Sequence, residues 1–75
     1  MLYKSKYNSI TLGQIEYNND TECFQLKMGT LKVIYETKNK ICLCLDRKQQ
    51  EQPYIKLLVD NKVGWIYEHF FERLS

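Results

Sequence analysis

The sequence contains little glycine, proline or histidine, with three glycines, one proline and one histidine in 75 residues. The glycines are isolated from one another, so the chain has no glycine-rich loop that would cradle a phosphate group. No proline-rich linker divides the chain, and no apolar run approaches the ~20 residues that a membrane span requires. Residues 1–4 begin no hydrophobic targeting segment. We therefore expect a single domain, residues 1–75, located in the cytoplasm.

A strong excess of either charge is also missing, because 11 basic and 9 acidic residues leave a net charge of +2. The two signs are interspersed, whereas a dedicated nucleic-acid binder usually carries a basic stripe. Hydrophobic residues make up 44% of the chain and aromatic residues 13%. This composition supports a compact core and argues against disorder. The charge permits nucleic acid as a partner without favouring it.

Three cysteines, Cys23, Cys42 and Cys44, are an odd number, which suits the reducing cytosol better than a disulfide framework. Together with His69 they offer the four ligand atoms of a tetrahedral zinc site. However, Cys42 and Cys44 lie one residue apart within a strand, and the usual zinc signal is a pair of C-x₂-C turns. The same residues offer a nucleophile and a base without a placed orienting acid. We therefore predict no metal, no cofactor and no enzymatic activity.

Residues 1–8 alternate only loosely, so we expect a frayed end or an edge strand there. Two β-patterned runs follow, one on each side of Asn18-Asn19-Asp20. These three residues are a strong turn signal, because short polar side chains bond to their own main chain and tolerate left-handed backbone angles. The two runs predict an N-terminal hairpin over residues 9–28.

Three further β-patterned stretches cover residues 30–36, 41–45 and 54–59. The side chains that share the more apolar face of each stretch are Leu31, Val33 and Tyr35, then Ile41, Leu43 and Leu45, and finally Ile55, Leu57 and Val59. We expect the last three to point inward. In the second stretch the opposite face carries the two cysteines. Residues 46–52 are wholly polar, and we expect a solvated loop.

The final segment, residues 62–74, changes its periodicity. Val63 to Tyr67 is an extended run, residues 68–71 fit one tight helical turn, and residues 72–74 fit a last short strand. Gly64 before Trp65 suits a strand that another backbone approaches closely. The chain as a whole predicts an all-β fold: a small closed barrel of five to six short strands, with one helical turn near the C-terminus. The hairpin at residues 9–28 would accompany a barrel core at residues 29–75.

The stretch G-W-I-Y-E-H-F-F-E, residues 64–72, resembles the closing segment of SH3-like β-barrels, and the similarity extends over roughly residues 29–74. It is closer to the short bacterial and tailed-phage members than to eukaryotic signalling domains. Tyr67 stands where that family has a proline, and the connection from Glu36 to Ile41 is short. The resemblance implies a small binding module of phage or bacterial origin, acting in the host cytoplasm if phage-encoded.

Aromatic side chains are the best candidates for contact with a partner. If Ile66 points into the core, strand alternation sends Trp65 and Tyr67 to the opposite surface, where Tyr54 would join them. The predicted partner-binding residues are Tyr35, Tyr54, Trp65, Tyr67 and Phe70. The competing interpretation is that the N-terminal hairpin covers these rings and makes them part of the core.

Three functions remain open at this point. The first is a non-catalytic module that docks a protein partner through these rings. The second is a nucleic-acid-binding barrel that adds basic side chains to the same rings, namely Lys27, Lys32, Lys38, Lys40, Lys56 and Lys62. The third is a structural or oligomeric virion component in which an edge strand pairs between copies.

Overall fold

The structure, a computed structural model, describes residues 1–74 and is built almost entirely of short β-strands. In chain order the elements are β1 (Leu2–Ser5), β2 (Ser9–Leu12), β3 (Ile15–Asn18), β4 (Cys23–Leu26), β5 (Lys32–Tyr35), β6 (Ile41–Lys48), β7 (Tyr54–Val59), β8 (Lys62–Tyr67), a 3₁₀ turn (Glu68–Phe70) and β9 (Phe71–Arg73). The predicted all-β class and the helical turn near the C-terminus are confirmed. No helix in the described part of the chain is long and apolar enough to cross a membrane.

The strands form three antiparallel sheets. Five strands pair in the order β8-β7-β6-β1-β9, β2 pairs with β5, and β3 pairs with β4. The sheets do not close, so the prediction of a closed barrel is wrong. Closure needs a hydrogen-bonded ladder between the last strands, and β2 meets β8 only at a single bridge between Gly13 and Trp65.

Two of the predicted turns form as expected. The Asp20 N–H donates a hydrogen bond of 2.8 Å to the Asn18 side chain, within the connection between β3 and β4. Asp60 and Asn61 have φ angles of 49° and 63°, which fit the two-residue turn that favours a tight hairpin between β7 and β8. The N-terminal hairpin is thus confirmed, but its paired strands cover Ile15–Leu26 only. The first part of the predicted hairpin, β2, pairs with β5 instead.

The N-terminal segment is not an edge or a frayed end. β1 lies between β6 and β9 in the five-stranded sheet. Tyr3 and Ser5 are completely buried, and the Tyr3 ring meets the Phe71 ring edge to face with centroids 6.4 Å apart. Burial of this ring explains why a loosely patterned segment holds an inner position in the sheet, since large aromatic side chains contribute much of the core area.

The core lies between the five-stranded sheet and the β2–β5 pair. Its buried apolar residues are Tyr3, Ile10, Leu12, Ile34, Cys42, Ile55, Leu57, Val59, Ile66 and Phe71. The predicted inward face of β7 is therefore confirmed, as is the inward direction of Ile66. Gly64 is buried where β2 passes over β8.

In β5 and β6 the face that carries most of the larger apolar side chains points outward, and the other face is buried. In β5 the buried residue is Ile34, which pairs with the buried Ile10 of β2. In β6 the buried residue is Cys42. The side chains that consequently face solvent are Leu31, Val33, Tyr35, Ile41, Leu43 and Leu45. β6 also continues to Lys48, so the polar run at residues 46–52 is a loop only in its second half.

Candidate functional site

A groove opens where β2 and β8 separate. Gly13 and Trp65 exchange two main-chain hydrogen bonds, of 3.0 Å from the Gly13 N–H and 2.6 Å from the Trp65 N–H. The next residues along the two strands do not pair, because the contact is an isolated bridge. Since antiparallel strands would otherwise continue their ladder here, the separation leaves a gap in the protein surface.

The groove has a volume of about 400 Å³ and an almost wholly apolar wall. Its lining residues are Tyr7, Ser9, Ile10, Thr11, Leu26, Ile66, Tyr67 and Phe70. Ile10 and Ile66 are only 4% exposed and belong to the hydrophobic core, so the floor of the groove is the core itself. A pocket of this size and character is typical of ligand sites in proteins.

A series of contacting aromatic rings runs from the buried Tyr54 to Tyr7, and three of its members, Tyr67, Phe70 and Tyr7, line the groove. Tyr54 stacks on Tyr67 with ring centroids 4.3 Å apart, and Tyr67 stacks on His69 at 5.5 Å. His69 lies 4.3 Å from Phe70, and Phe70 meets Tyr7 edge to face at 5.4 Å. Each ring is held by its neighbours, so the groove carries a rigid aromatic border. Rigid rings are effective contact groups because little side-chain entropy is lost on binding.

The main chain of β8 directs a donor into the groove. The N–H and C=O of Trp65 both point toward β2, and alternate residues of an antiparallel strand point the same way. The N–H of Tyr67, two residues further on, therefore points to the groove. The next residue agrees with this alternation, because the Glu68 N–H points to the other side and donates to the Pro53 carbonyl at 2.9 Å.

The main chain of β2 supplies the facing wall. The Asn8 carbonyl accepts a hydrogen bond of 3.1 Å from the Thr37 N–H, on the side of β5, whereas the N–H and C=O of Gly13 both bond to Trp65 of β8. Strand alternation then turns the N–H and C=O of Thr11 toward β8. Because β8 has already diverged at this level, both groups of Thr11 face the groove.

The five predicted partner-binding residues do not share one surface. Tyr67 and Phe70 line the groove. Trp65 is half-buried and packs beneath Lys56, whose Nζ lies 6.0 Å from the ring centroid. Tyr35 is 71% exposed and stands on the outer face of β5. Tyr54 is buried, so the prediction that it joins an exposed cluster is wrong.

The β3–β4 hairpin explains the burial of Tyr54. The Tyr54 hydroxyl lies beside the main chain of Leu26, and burial raises the pKa of this phenol well above its usual value. Gln50 fixes the hairpin in place: it accepts a hydrogen bond of 2.8 Å from the Phe24 N–H and donates one of 3.3 Å to the Phe24 carbonyl. The hairpin thus covers Tyr54 but leaves the Tyr67 side of the groove open.

Sequence patterns gave no indication of half of the groove. Tyr7 lies in the loosely alternating segment at residues 1–8, and Ser9, Thr11 and Leu26 look like ordinary strand residues. Tyr7, Ser9 and Thr11 become groove residues only because β2 crosses over to pair with β5. A separation of two strands has no local sequence signal.

A polar cluster of Tyr3, Arg47 and Glu68 connects three parts of the fold. The Tyr3 hydroxyl donates to Glu68 at 2.5 Å, and the Arg47 guanidinium donates two hydrogen bonds of 3.0 Å to the same carboxylate. The hydrogen bonds from Arg47 are the main reason why the pKa of Glu68 is lowered. Burial is the main cause that raises the pKa of Tyr3 to about 12, and the hydrogen bond with the Glu68 carboxylate adds to it. The cluster joins β1, β6 and the 3₁₀ turn.

None of the three cysteines lines the groove, and Cys42 lies opposite Tyr3 in the five-stranded sheet. Cys42 is buried, which raises the pKa of its thiol, whereas Cys23 and Cys44 are half-buried. Within residues 1–74 no three histidine, cysteine, aspartate or glutamate side chains come together as a potential metal site.

Comparison with known proteins adds no relative: no family model, no curated protein and no solved structure matches the chain. The resemblance to SH3-like barrels stays a prediction.

Proposed function

We propose that this protein is a non-catalytic binding module that docks an extended peptide segment of a protein partner between β2 and β8. The observation that carries this proposal is the separation of the two strands beyond the Gly13–Trp65 bridge. The resulting groove combines an apolar floor with main-chain groups of Thr11 and Tyr67 on opposite walls. Peptides that add to a sheet as an extra strand are recognised in this way.

The chemistry of the groove favours a peptide in extended conformation. An extended segment presents N–H and C=O groups on both of its edges, so it can bond to Thr11 and to Tyr67 at once. Its alternate side chains would point toward the apolar floor at Ile10 and Ile66. Main-chain bonding provides affinity in such complexes, and the pockets for alternate side chains provide specificity.

The aromatic border supports the same function. Tyr7 is 50% exposed and lies beside Phe70 at the mouth of the groove. Tyrosine is enriched among the residues that dominate the energy of protein interfaces, because it combines a large apolar surface with a polar end. A peptide that enters the groove would cover these rings and release water from them.

A nucleic-acid partner fits the groove less well. Its lining contains no lysine or arginine, whereas nucleic-acid binding draws most of its affinity from basic contacts with phosphate. Two of the candidate lysines are occupied elsewhere, Lys40 with Asp60 at 2.5 Å and Lys56 with the Trp65 ring. We therefore favour a peptide as the ligand.

Selection from a random library of displayed peptides tests the proposal. We expect selected peptides to be rich in β-branched and aliphatic residues at alternate positions. N-methylation of single residues in a selected peptide should weaken binding most at the residue whose N–H donates to the Thr11 carbonyl, because that hydrogen bond is lost. A selection that yields no binder, or a binder insensitive to N-methylation, would contradict the proposal.

Two matched tyrosine substitutions locate the site. Tyr7 and Tyr17 are 50% and 53% exposed, and each meets a phenylalanine edge to face, at 5.4 Å and 5.3 Å respectively. Only Tyr7 lines the groove. We expect Tyr7→Ala to weaken the binding of the selected peptide at least about tenfold, as for a typical interface hot spot, and Tyr17→Ala to leave it unchanged. Equal effects of the two substitutions would place binding elsewhere.

A further inference from the structure

The outer face of the five-stranded sheet carries a row of aliphatic side chains that crosses β8, β7, β6 and β1 and ends directly after β9. Leu43 lies directly opposite Leu2 on one side and Leu58 on the other, and Leu58 lies opposite Val63. Leu74 extends the row beyond Leu2, since its N–H donates to the Leu2 carbonyl at 2.9 Å. Between 38% and 44% of each residue in the row is exposed.

Two more aliphatic residues widen the row along its central strand. Ile41 and Leu45 lie two residues before and after Leu43, and they are 55% and 48% exposed. We call these seven residues the aliphatic face: Leu2, Ile41, Leu43, Leu45, Leu58, Val63 and Leu74. Isolated apolar residues on a surface need no explanation, but a contiguous patch of this kind marks an interaction site.

We propose that the aliphatic face packs against the aliphatic face of a second copy of this chain, around a two-fold axis that passes by Leu43. Leu43 lies on β6, the central strand of the sheet, with two strands on each side. An axis along β6 places Leu43 against Leu43 of the second copy. It also places Leu58 against the second copy's Leu2, and Val63 against its Leu74.

The match between the two halves of the row is the reason to choose a second copy as the occupant. A two-fold interface uses the same patch twice and must therefore be self-complementary. The row meets this condition, because the residues at equal distances from Leu43 are all aliphatic and of similar size. Two twisted sheets pack face to face with their strands nearly aligned, through apolar side chains of this type.

The available area is sufficient for such a dimer. Seven aliphatic residues that each expose about two-fifths to half of their surface offer roughly 550 Å² per copy, or roughly 1,100 Å² for the pair, against a minimum of about 1,000 Å² for a specific interface. The surroundings are polar, as expected for the rim of an interface. Lys4 and Glu72 form an ion pair of 3.6 Å at one side of the row, and Lys56 lies at the other.

This interface is independent of the peptide groove. The groove lies between β2 and β8, whereas the row crosses the outer face of the five-stranded sheet and includes none of the groove residues. A failure of either proposal therefore leaves the other standing.

Sedimentation equilibrium of the purified chain, at concentrations up to roughly 1 mM so that weak association is detected, tests the proposal. We expect a monomer–dimer equilibrium that Leu43→Lys shifts toward monomer, with a dissociation constant raised at least about tenfold, because two like charges would meet at the axis. Leu58→Lys is a second test at a site away from the axis. Circular dichroism of each variant establishes that its fold is retained.

The matched control is Val33→Lys, which places the same charge on an aliphatic residue that is 48% exposed on β5, outside the aliphatic face. We expect this variant to dimerise as the unmodified chain does. The proposal is overturned by a monomer at every concentration. It is equally overturned if folded Leu43→Lys and Leu58→Lys variants keep the original dissociation constant, or if Val33→Lys weakens the dimer as much as they do.

Discussion

Gly64 lies directly against Leu12 at the point where β2 crosses β8. A β-carbon added to Gly64 would be 2.7 Å from the Leu12 β-carbon and 3.1 Å from the Gly13 nitrogen. Neither neighbour can move independently of the β2 backbone. The absence of a side chain at Gly64 is therefore what allows the two sheets to meet, as predicted from a glycine preceding a large aromatic in a strand.

The first prediction is that Gly64→Ala destabilises the fold by about 1–3 kcal/mol, the usual cost of forcing an extra methyl group into a packed core. For a domain of this size the melting temperature should fall by roughly 4–8 °C per kcal/mol. The same substitution should also weaken peptide binding, because the Gly13–Trp65 bridge fixes the end of the groove. Thermal unfolding followed by circular dichroism measures the stability change.

Gly13→Ala is the control for this prediction. A β-carbon at Gly13 would approach the Cδ2 atom of Leu31 at 2.8 Å, but that atom ends a flexible side chain that is 44% exposed. The Leu31 side chain can rotate away, so we expect a clearly smaller loss than for Gly64→Ala. Equal losses would mean that the crossing does not depend on the close approach at Gly64.

The second prediction concerns the pH dependence of stability at the Tyr3–Glu68 hydrogen bond. Because the pKa of Tyr3 is raised from 10.0 to about 12, the folded state favours the neutral phenol. The stabilisation is complete below pH 10 and is lost as the pH rises toward about 12. Tyr3→Phe should be less stable than the unmodified chain at neutral pH. The difference in free energy of unfolding should shrink above pH 10, as urea titrations at several pH values would measure.

Glu68→Gln provides the opposite arm of the same experiment. The pKa of Glu68 is lowered from 4.5 in the folded state, so its stabilisation is present above pH 4.5 and is lost as the pH falls through the folded-state pKa. The stability difference between Glu68→Gln and the unmodified chain should therefore shrink in acid. It should also shrink above pH 10, because Glu68 contributes to the raised pKa of Tyr3. Differences that stay constant from acid to alkaline pH would exclude an ionic role for the cluster.

The third prediction tests which face of β5 is buried. Ile34→Ala should cost about 2–5 kcal/mol, because it deletes methyl groups from a packed core. That loss is a large part of the roughly 4–11 kcal/mol expected for a 75-residue chain. Val33→Ala, next to it on the exposed face, should change stability by no more than about 0.5 kcal/mol. Reversed effects in urea unfolding would mean that β5 presents its other face to the core.

The positions of the strands were predictable where turn chemistry marks their ends. Asn18-Asn19-Asp20 and Asp60-Asn61 mark the connections of two hairpins. Asp60 and Asn61 adopt the positive φ angles that tight turns require, and the Asn18 side chain accepts a hydrogen bond from the Asp20 N–H. The closing strand, the single helical turn and the short last strand also follow from a change of period within residues 62–74. Local signals of this kind depend on neighbouring residues only.

The inward faces of β5 and β6 were not predictable from alternation. Both faces of β6 are apolar, since cysteines alternate with Ile41, Leu43 and Leu45. Free cysteine behaves as a small hydrophobic residue, so periodicity cannot distinguish the two faces. The face with the smaller cysteine side chains lies inward because the core beneath β6 is already filled by large side chains such as Tyr3 and Phe71. The larger side chains Ile41, Leu43 and Leu45 are left outside, where they form the centre of the aliphatic face.

The candidate groove as a whole could not be predicted from the sequence, for a related reason. Tyr67 and Phe70 were identifiable as exposed aromatic candidates, and both line the groove. Tyr7 and Thr11 face them only because β2 pairs with β5 across a long separation in the chain. Register between distant strands depends on the packing of the whole domain, and no short stretch of residues encodes it.

Ile10 and Ile66 belong at once to the core and to the floor of the groove. An occupant would therefore complete the apolar interior from outside and would have no equivalent site on the unfolded chain. By mass action, ligand at about one hundred times its dissociation constant would add about 2.7 kcal/mol to the free energy of unfolding. Heating the protein with candidate peptides would thus detect the natural occupant by a rise in melting temperature, without a label on either molecule.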